Sequence, residues 1–565
     1  MRNAVLFLLL LIAPAAEALD VVEVRWGLDG RAVPDRINPV SIFLSNPSNQ
    51  PYDGLLALSK SDTFGTQLGA AVVEPCYLSP SARRWVQFYV PVEDPEETWT
   101  LTWGEGPSGR AALPVARLGP PATVMLDDPD QSRYVTGEIA RLPDQLFPTD
   151  VSGLDGLHSV ILDHAPRWEP VRRQAFLDWL RLGGIVHVLH GEDGKFPVFP
   201  EELAALNGLS SGRARFGAGL IVWQEVSRDQ VKGGYLASKG FPPLELKLST
   251  VERSELIEDV VFRKLESLSE LRHNWSLIYG LAACYIVLIG PVALVIGRLW
   301  RDWRRTLVIY LGVVALFGAL FLFVGRQSAA GGAVVYTFSY ARPLGQGNWD
   351  VSQWSSAFVT SSGHYLVRHP CPFSLYAVWK RRETVNGTIR NGRDALFEVE
   401  VPLFSWRTFA HRGRFRADPL NLAVATWEGS DDLADFSVTG VVPAGTLAAC
   451  AFYNGNLYLL SLETNRLRLV GRQQALLFEL EQTGQVEAEA AGSDVERQFK
   501  EMLTPLVLWT TGRPEGALYY WDRRAARDEI QVFILAPSPN AFNLSQGGLG
   551  RETGYTVYHL TFFKG

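Results

Sequence analysis

A chain of 565 residues is long enough for several domains, and its 60 acidic against 53 basic side chains leave a net charge of −7. No basic stripe with interleaved aromatics appears, so nothing points to nucleic acid and no such partner is expected. Four cysteines in this length are too few for a disulfide scaffold, and their spacing resembles no zinc site.

Residues 1–18 read as a signal peptide. Arg2 precedes the short apolar run Val5 to Ile12, and Ala16-Glu17-Ala18 fits a small-x-small cleavage site that leaves Leu19 first. Residues 19–118 then alternate as short strands: Val21–Trp26, Val40–Leu44, Leu55–Leu58, Trp85–Val90 and Trp99–Trp103. Such spacing between turn clusters predicts an immunoglobulin-like β-sandwich. Gly119-Pro120-Pro121 marks its end.

From 119 to 225 the pattern becomes α/β. Predicted strands Ala122–Leu126, Ser159–Leu162, Ile185–Leu189 and Leu220–Trp223 alternate with helical stretches. One is Gly137–Leu142. Another is Pro170–Leu182, stopped by Gly183-Gly184. This alternation predicts a mostly parallel sheet. Residues 226–274 form a juxtamembrane segment, in which Ser249 and Glu252 match a capping box for a helix over 249–272.

Two uncharged apolar runs follow, 275–297 and 306–325. Each has the roughly 20 residues that a transmembrane helix needs. The loop 298–305 between them carries Arg298, Arg301, Arg304 and Arg305, which the positive-inside rule places in the cytoplasm. Trp275, Trp300 and Trp303 fall at belt positions. Both flanking segments are therefore expected outside, in a two-pass protein of a bacterial inner membrane. Neither span holds an ionisable residue, so a channel or carrier acting alone is not expected. Residues 326–565 are expected to be β-rich, in one or two sandwich-like units, with one helix over Asp494–Leu508. Cys371 and Cys450 share this region and are candidates to pair in an oxidising compartment. Cys76 would face it too, while Cys284 lies within the first span.

Three predicted strand ends of the parallel sheet carry polar groups: Asp127 and Asp128, Asp163 and His164, and His190 with Glu192 and Asp193. Ligands bind at such carboxyl edges. The cluster is a candidate for holding a divalent metal or for acid–base catalysis. The competing reading is solvated turn sequence, which Asp-Asp-Pro and Gly-Glu-Asp-Gly also fit. His187, in mid-strand, is expected to be a packed residue. Ser210 lies in a bare G-x-S-x-G pattern, but a predicted helix, Pro200–Leu206, stands where a nucleophile elbow needs a strand.

The stretches Leu277-Ile278-Tyr279, Ile289-Gly290-Pro291 and Arg298-Leu299-Trp300, with Trp179-Leu180, Gly183-Gly184, His187-Val188 and Gly217-Ala218-Gly219, carry a resemblance. The chain resembles uncharacterised bacterial envelope proteins with a signal peptide, a β-sandwich and a class I glutamine-amidotransferase-like (flavodoxin-like) α/β domain. A two-helix hairpin and a C-terminal β domain complete their order. Amidotransferases need a cysteine nucleophile, and residues 122–225 contain no cysteine, so that activity is not expected. The resemblance implies a catalytically degenerate domain with no cofactor. It also implies a binding or scaffolding role, with the lipid bilayer and a membrane or periplasmic protein as partners, accessory to a transport or assembly complex. The rival expectation is a metal-assisted or acid–base hydrolase built on Asp127, Asp128, Asp163, His164 and His190.

Overall fold

The fold was analysed in a computed structural model. It describes residues 19–564 except 94–95, 105–108, 129–138, 192, 208–211, 249–256, 270–274, 301–302, 330–332, 379–382, 464, 471–492, 512–518, 521–527 and 546–548. The signal peptide with Ala16 and Ala18, Glu192, Ser210, the capping pair Ser249 and Glu252, and Arg301 lie outside these residues. So do the side chains of Trp275, Trp300, Trp303 and Arg305. The chain is mainly strand, arranged in several sheets with few helices.

The strands expected before residue 118 all form, and Gln67–Leu78 joins them. Asp20–Trp26, Arg36–Ser45 and Arg83–Val92 make a three-stranded antiparallel sheet. The facing sheet is not closed by this segment alone. Tyr52–Ser61, Gln67–Leu78, Thr98–Trp103 and Gly109–Ala112 supply four of its seven strands. Gly363–Val367, Thr384–Arg390 and Leu396–Val401 supply the other three. The junction is a parallel pairing in which Gly69, Ala71 and Val72 lie beside Thr384, Thr388 and Ile389. The common core follows from it: Ile42, Phe88, Leu56 and Leu101 pack in one cluster with Ile389 and Phe397. The amino- and carboxy-terminal regions thus form one body, where the sequence predicted two.

Residues 122–227 form a six-stranded sheet. Ala122–Asp127, Leu157–Leu162, Ile185–His190 and Gly219–Ser227 run parallel, Ala140–Pro143 extends one edge in parallel, and Gly212–Phe216 closes the other antiparallel. Leu157–Leu162 is buried along almost its whole length, as strands covered on both faces are. Of the helix expected over Gly137–Leu142, residues 137–138 lie outside the described residues, and residues 140–143 are strand instead, with Val124 to Asp127 as their neighbours. Helix Pro170–Arg181 begins on a proline, where the missing N–H costs nothing. Its backbone sits hard against the next strand. A Cβ on Gly219 would stand 1.8 Å from the Leu180 carbonyl oxygen, so only glycine permits the approach.

Apart from Tyr519–Tyr520, which pairs with Lys247–Leu248, the other strands of the carboxy-terminal half form one eleven-stranded sheet, antiparallel except where Val334–Gly345 runs parallel to Arg551–Phe563. Successive residues face opposite ways, so one face carries Phe338, Cys450 and Phe533 and the other Ala341, Ala451 and Ile534. Helices Ile257–Ser269 and Asp494–Thr510 cover the first face through Val261, Phe262, Phe499 and Met502. Ser493 and Glu496 cap the second helix reciprocally. Cys450 lies under these helices, whereas Cys371 packs against the opposite face, so the pair does not form. All four cysteines are free.

Helix Trp275–Val287 continues through a π-helical turn, Leu288–Val292, into Ala293–Trp300. Pro291 lacks the N–H that a regular turn would use, which accounts for the widened register. The portion Ser276–Val295 is long and apolar enough to cross a membrane, and none of it is buried. The second helix, Trp303–Ala329, is longer overall, but its apolar portion among the described residues is the shorter Leu307–Phe321. Leu294, Leu299, Val308 and Leu311 are exposed on the two helices.

Candidate functional site

The carboxyl edge of the parallel sheet brings Asp127, Asp163 and His164 together, and the residue that joins them is one the sequence did not single out. Arg228 begins the short 3-10 turn directly after strand Gly219–Ser227, where Ser227 and Gln230 form a capping box. Its guanidinium takes Asp163 bidentately, Nε donating to Oδ2 at 2.6 Å and Nη2 to Oδ1 at 2.8 Å. Nη1 donates to Asp127 Oδ1 at 2.8 Å, and Nη2 also reaches the Leu126 carbonyl at 2.6 Å. Fork-to-carboxylate geometry of this kind is the strongest the side chain offers.

His164 extends the row. Its Nδ1 lies 2.8 Å from Asp163 Oδ1, and its Nε2 lies 3.1 Å from Asp144 Oδ2. Trp168 Nε1 donates to the Asp144 carbonyl at 2.9 Å and fixes the turn that carries it. Arg141 stands 3.6 Å from Asp127 at the other end. Charges therefore alternate along Asp144, His164, Asp163, Arg228, Asp127 and Arg141, and the row neutralises itself.

The electrostatics follow from this geometry. Burial alone would lower the His164 pKa, but hydrogen bonds and charge from Asp144 and Asp163 outweigh it and raise it to about 9. Burial would raise the Asp163 pKa, and His164 with Arg228 reverses that, leaving it below the usual carboxylate value. An imidazolium with both nitrogens engaged has no lone pair to accept a proton near neutral pH. Nor do the carboxylates suit a metal. Asp163 turns both oxygens to Arg228, and among the described residues no group of three or more His, Cys, Asp or Glu side chains is placed to hold one. The arrangement acts as a clasp across three strand ends.

The remaining sequence candidates lie around this row. Asp128 is half-buried one residue past its strand. His190 packs its ring edge against Phe196, with centroids 4.4 Å apart. His187 is fully buried, as a packed residue should be, with Nδ1 2.9 Å from Gln224 Nε2; burial lowers its pKa to about 4. Asp144 and Arg228 escaped sequence reasoning because neither sits at the end of a predicted strand. A basic residue at the close of strand Gly219–Ser227, opposite two acidic strand ends, was the available signal for Arg228.

No protein-family model and no curated protein matches the chain. Solved structures similar to it include a Paenibacillus cycloisomaltooligosaccharide glucanotransferase, at 8% identity and TM-score 0.16, over 80% of this chain and 98% of that one. The Danio rerio Fcho1 Mu homology domain with bound Eps15 peptide aligns at 7% identity and TM-score 0.17, over 41% and 96%. A glycoside hydrolase family 2 β-glucuronidase aligns at 8% and 0.14, over 97% and 62%. Similarity at this level identifies neither fold nor activity.

Proposed function

We propose that this is a two-pass envelope protein of a bacterial inner membrane whose large β body stands outside the bilayer and works by binding or scaffolding, as an accessory to a transport or assembly complex. The observation that carries the reading is the shared seven-stranded sheet. Residues 69–72 and 384–389 pair within it, although the apolar run 275–325 lies between them in sequence. A single crossing would put the two strands on opposite sides of a membrane. A hairpin returns the chain to the side it left, and Arg298 and Arg304 in its tip favour the cytoplasm. Exposed apolar side chains on both helices fit contact with lipid.

Helix Ile257–Ser269 strengthens the reading as a rigid mount. It precedes the first apolar helix by a few residues and is held to the large sheet by Val261, Phe262 and Leu265. Ser267 Oγ lies 3.0 Å from Gln498 Oε1, and Lys264 pairs with Glu501. The mostly parallel sheet of residues 122–227 supports an amidotransferase-like ancestry, and the clasp around Arg228 favours a binding role over hydrolysis at that edge.

Purification of the full chain from native membranes in mild detergent, with mass spectrometry of what stays bound, tests the role. A stoichiometric membrane or periplasmic protein is the expected result. Repeated recovery of the chain alone, under conditions that preserve known complexes of the same membrane, would overturn the scaffold reading.

A further inference from the structure

A second constellation lies in the large sheet, away from the parallel-sheet edge. Cys371 borders an open pocket of about 410 Å³ with Arg368, His369, Arg393 and Asp394. Its Sγ stands 3.8 Å from His411 Nε2. The hydrogen bonds behind His411 fix its tautomer. Gln353 donates its amide Nε2 to the Phe542 carbonyl at 2.9 Å and to Ser339 Oγ at 3.2 Å, so the atom facing His411 Nδ1 at 3.0 Å is the amide oxygen. An amide oxygen only accepts, hence Nδ1 carries the proton and Nε2 presents its lone pair to the thiol. Nucleophile, base and orienting group are thus in geometric sequence, the order that covalent thiol catalysis uses.

His369, in the same pocket wall, supplies an independent observation. Its ring stacks on His411 with centroids 3.7 Å apart. Tyr376 Oη accepts from the His369 backbone N–H at 3.0 Å and lies 2.9 Å from Nδ1. The buried Nε2 of the same ring has no hydrogen-bond partner among the described residues. The rim sets two guanidiniums, Arg368 and Arg393, against the single carboxylate of Asp394, which lies 3.6 Å from Arg368. The surplus positive charge suits an anionic group.

We propose that Cys371 is a nucleophile toward acyl groups, with His411 as its base, Gln353 holding the imidazole, and Arg368 with Arg393 receiving a carboxylate or phosphate on the substrate. The thiol proton passes to His411 Nε2 as sulfur bonds to the carbonyl carbon. The carbon–leaving-group bond then breaks, and the leaving group departs with the proton from His411. Water, deprotonated by the same nitrogen, cleaves the thioester and restores the thiol. Burial pushes the Cys371 thiol up to about 12, so it rests neutral and proton transfer accompanies attack. Burial, followed by the charge of His369, holds His411 well below its ordinary value, so the base stays unprotonated into mild acid. Besides His369, the ionisable groups that bear on this pair are Tyr376, whose ring lies 4.6 Å from His411, and Asp150, which acts on Cys371. This site is separate from the scaffold reading and stands or falls without it.

The test uses the full chain in detergent with two ester probes, p-nitrophenyl acetate and the anionic mono-p-nitrophenyl succinate, and peptide mass spectrometry to locate the adduct. An acyl group on Cys371 is expected, formed at a rate that changes less than about threefold between pH 7 and pH 5.5. An unassisted thiol loses roughly tenfold per pH unit below its pKa, about 30-fold over that range. His411→Asn and Gln353→Leu are expected to slow the adduct at least tenfold. Faster reaction of the anionic ester should disappear in Arg368→Gln, Arg393→Gln. No adduct on Cys371 would overturn the nucleophile, and a 30-fold fall toward pH 5.5 or an adduct indifferent to His411→Asn would overturn His411 as its base. Equal rates for the two esters would overturn the rim assignment. Should the buried variants lose near-ultraviolet circular dichroism, the presence or absence of the adduct on Cys371 in the wild type decides.

Discussion

Ile389 lies in parallel register beside Val72, although the long apolar run separates them in sequence. Parallel neighbours in one sheet need a long connection. Here that connection contains the parallel sheet, helix Ile257–Ser269, both apolar helices and the first strands of the large sheet. The pairing makes one folding unit of segments that would otherwise read as separate domains.

The first consequence concerns topology. Cysteines introduced at the exposed residues Phe64 and Val441, in a Cys284→Ser, Cys371→Ser background, should both react with a membrane-impermeant maleimide on intact spheroplasts. A cysteine at Arg304 should react only after lysis. Labelling of Phe64→Cys and Val441→Cys from opposite sides would defeat the hairpin.

Dissection of the chain is a second consequence. Residues 19–248 produced alone should aggregate, because strand Gln67–Leu78 loses its neighbour and Leu56 and Val72 lose Phe397 and Ile389. Co-production with residues 333–565 should return soluble material that co-purifies. A monodisperse, cooperatively unfolding 19–248 fragment would contradict the shared core.

Arg228 should matter more to stability than any single carboxylate it binds. Arg228→Met removes the cation that Asp127 and Asp163 share in a partly buried setting, leaving Asp127 only Arg141 at 3.6 Å and Asp163 only His164. Removing one member of a buried pair costs several kcal/mol, and the remaining exposure reduces this to about 2 kcal/mol. Denaturant unfolding in detergent measures it; a change under about 0.5 kcal/mol would show that the clasp contributes little.

Stability should decline on the alkaline side of neutrality. His164 has its pKa raised from 6.5 to about 9 in the folded chain. Its contribution is therefore complete below about pH 6.5 and is lost as pH rises through about 9. Thermal midpoints between pH 7 and pH 9.5 should fall in the wild type and flatten in His164→Gln. Parallel slopes in both proteins would remove His164 from the account.

The acid side has the opposite sign. Burial lowers the pKa of His187 to about 4 and that of His369 to about 3, with His411 also well below its ordinary value. Unfolded histidines bind protons near pH 6.5 while these do not, so stability falls as pH drops from about 6.5 toward 4. Proton uptake on unfolding at about pH 5 should shrink by close to one in His187→Gln. An unchanged uptake would show that His187 is already protonated in the folded chain.

How far the elements could be read from sequence differs by kind. Strand Ile185–His190 and helix Pro170–Arg181 were legible within a residue or two, because burial on both faces or along one stripe leaves a periodic apolar trace. Residues 140–143 misled, since a short edge strand has too few positions to show alternation. At the candidate edge, Asp127, Asp163 and His164 were visible as polar groups at strand ends. Arg228 became meaningful only once strand Gly219–Ser227 was placed beside Ile185–His190.

By itself, then, the sequence determined most of the longer strands, which helix is amphipathic, and where two uncharged runs with an arginine-bearing loop interrupt the chain. These are local properties, set by backbone geometry and by the transfer of apolar side chains from water. Only the tertiary structure decided that Thr384–Arg390 completes the amino-terminal sheet, that Arg228 fills the gap between two aspartates, and that Gln353, His411 and Cys371 stand in line. Alternation along a strand specifies which side chains face inward but not which strand lies alongside, and side chains from distant segments meet only when that neighbour is chosen.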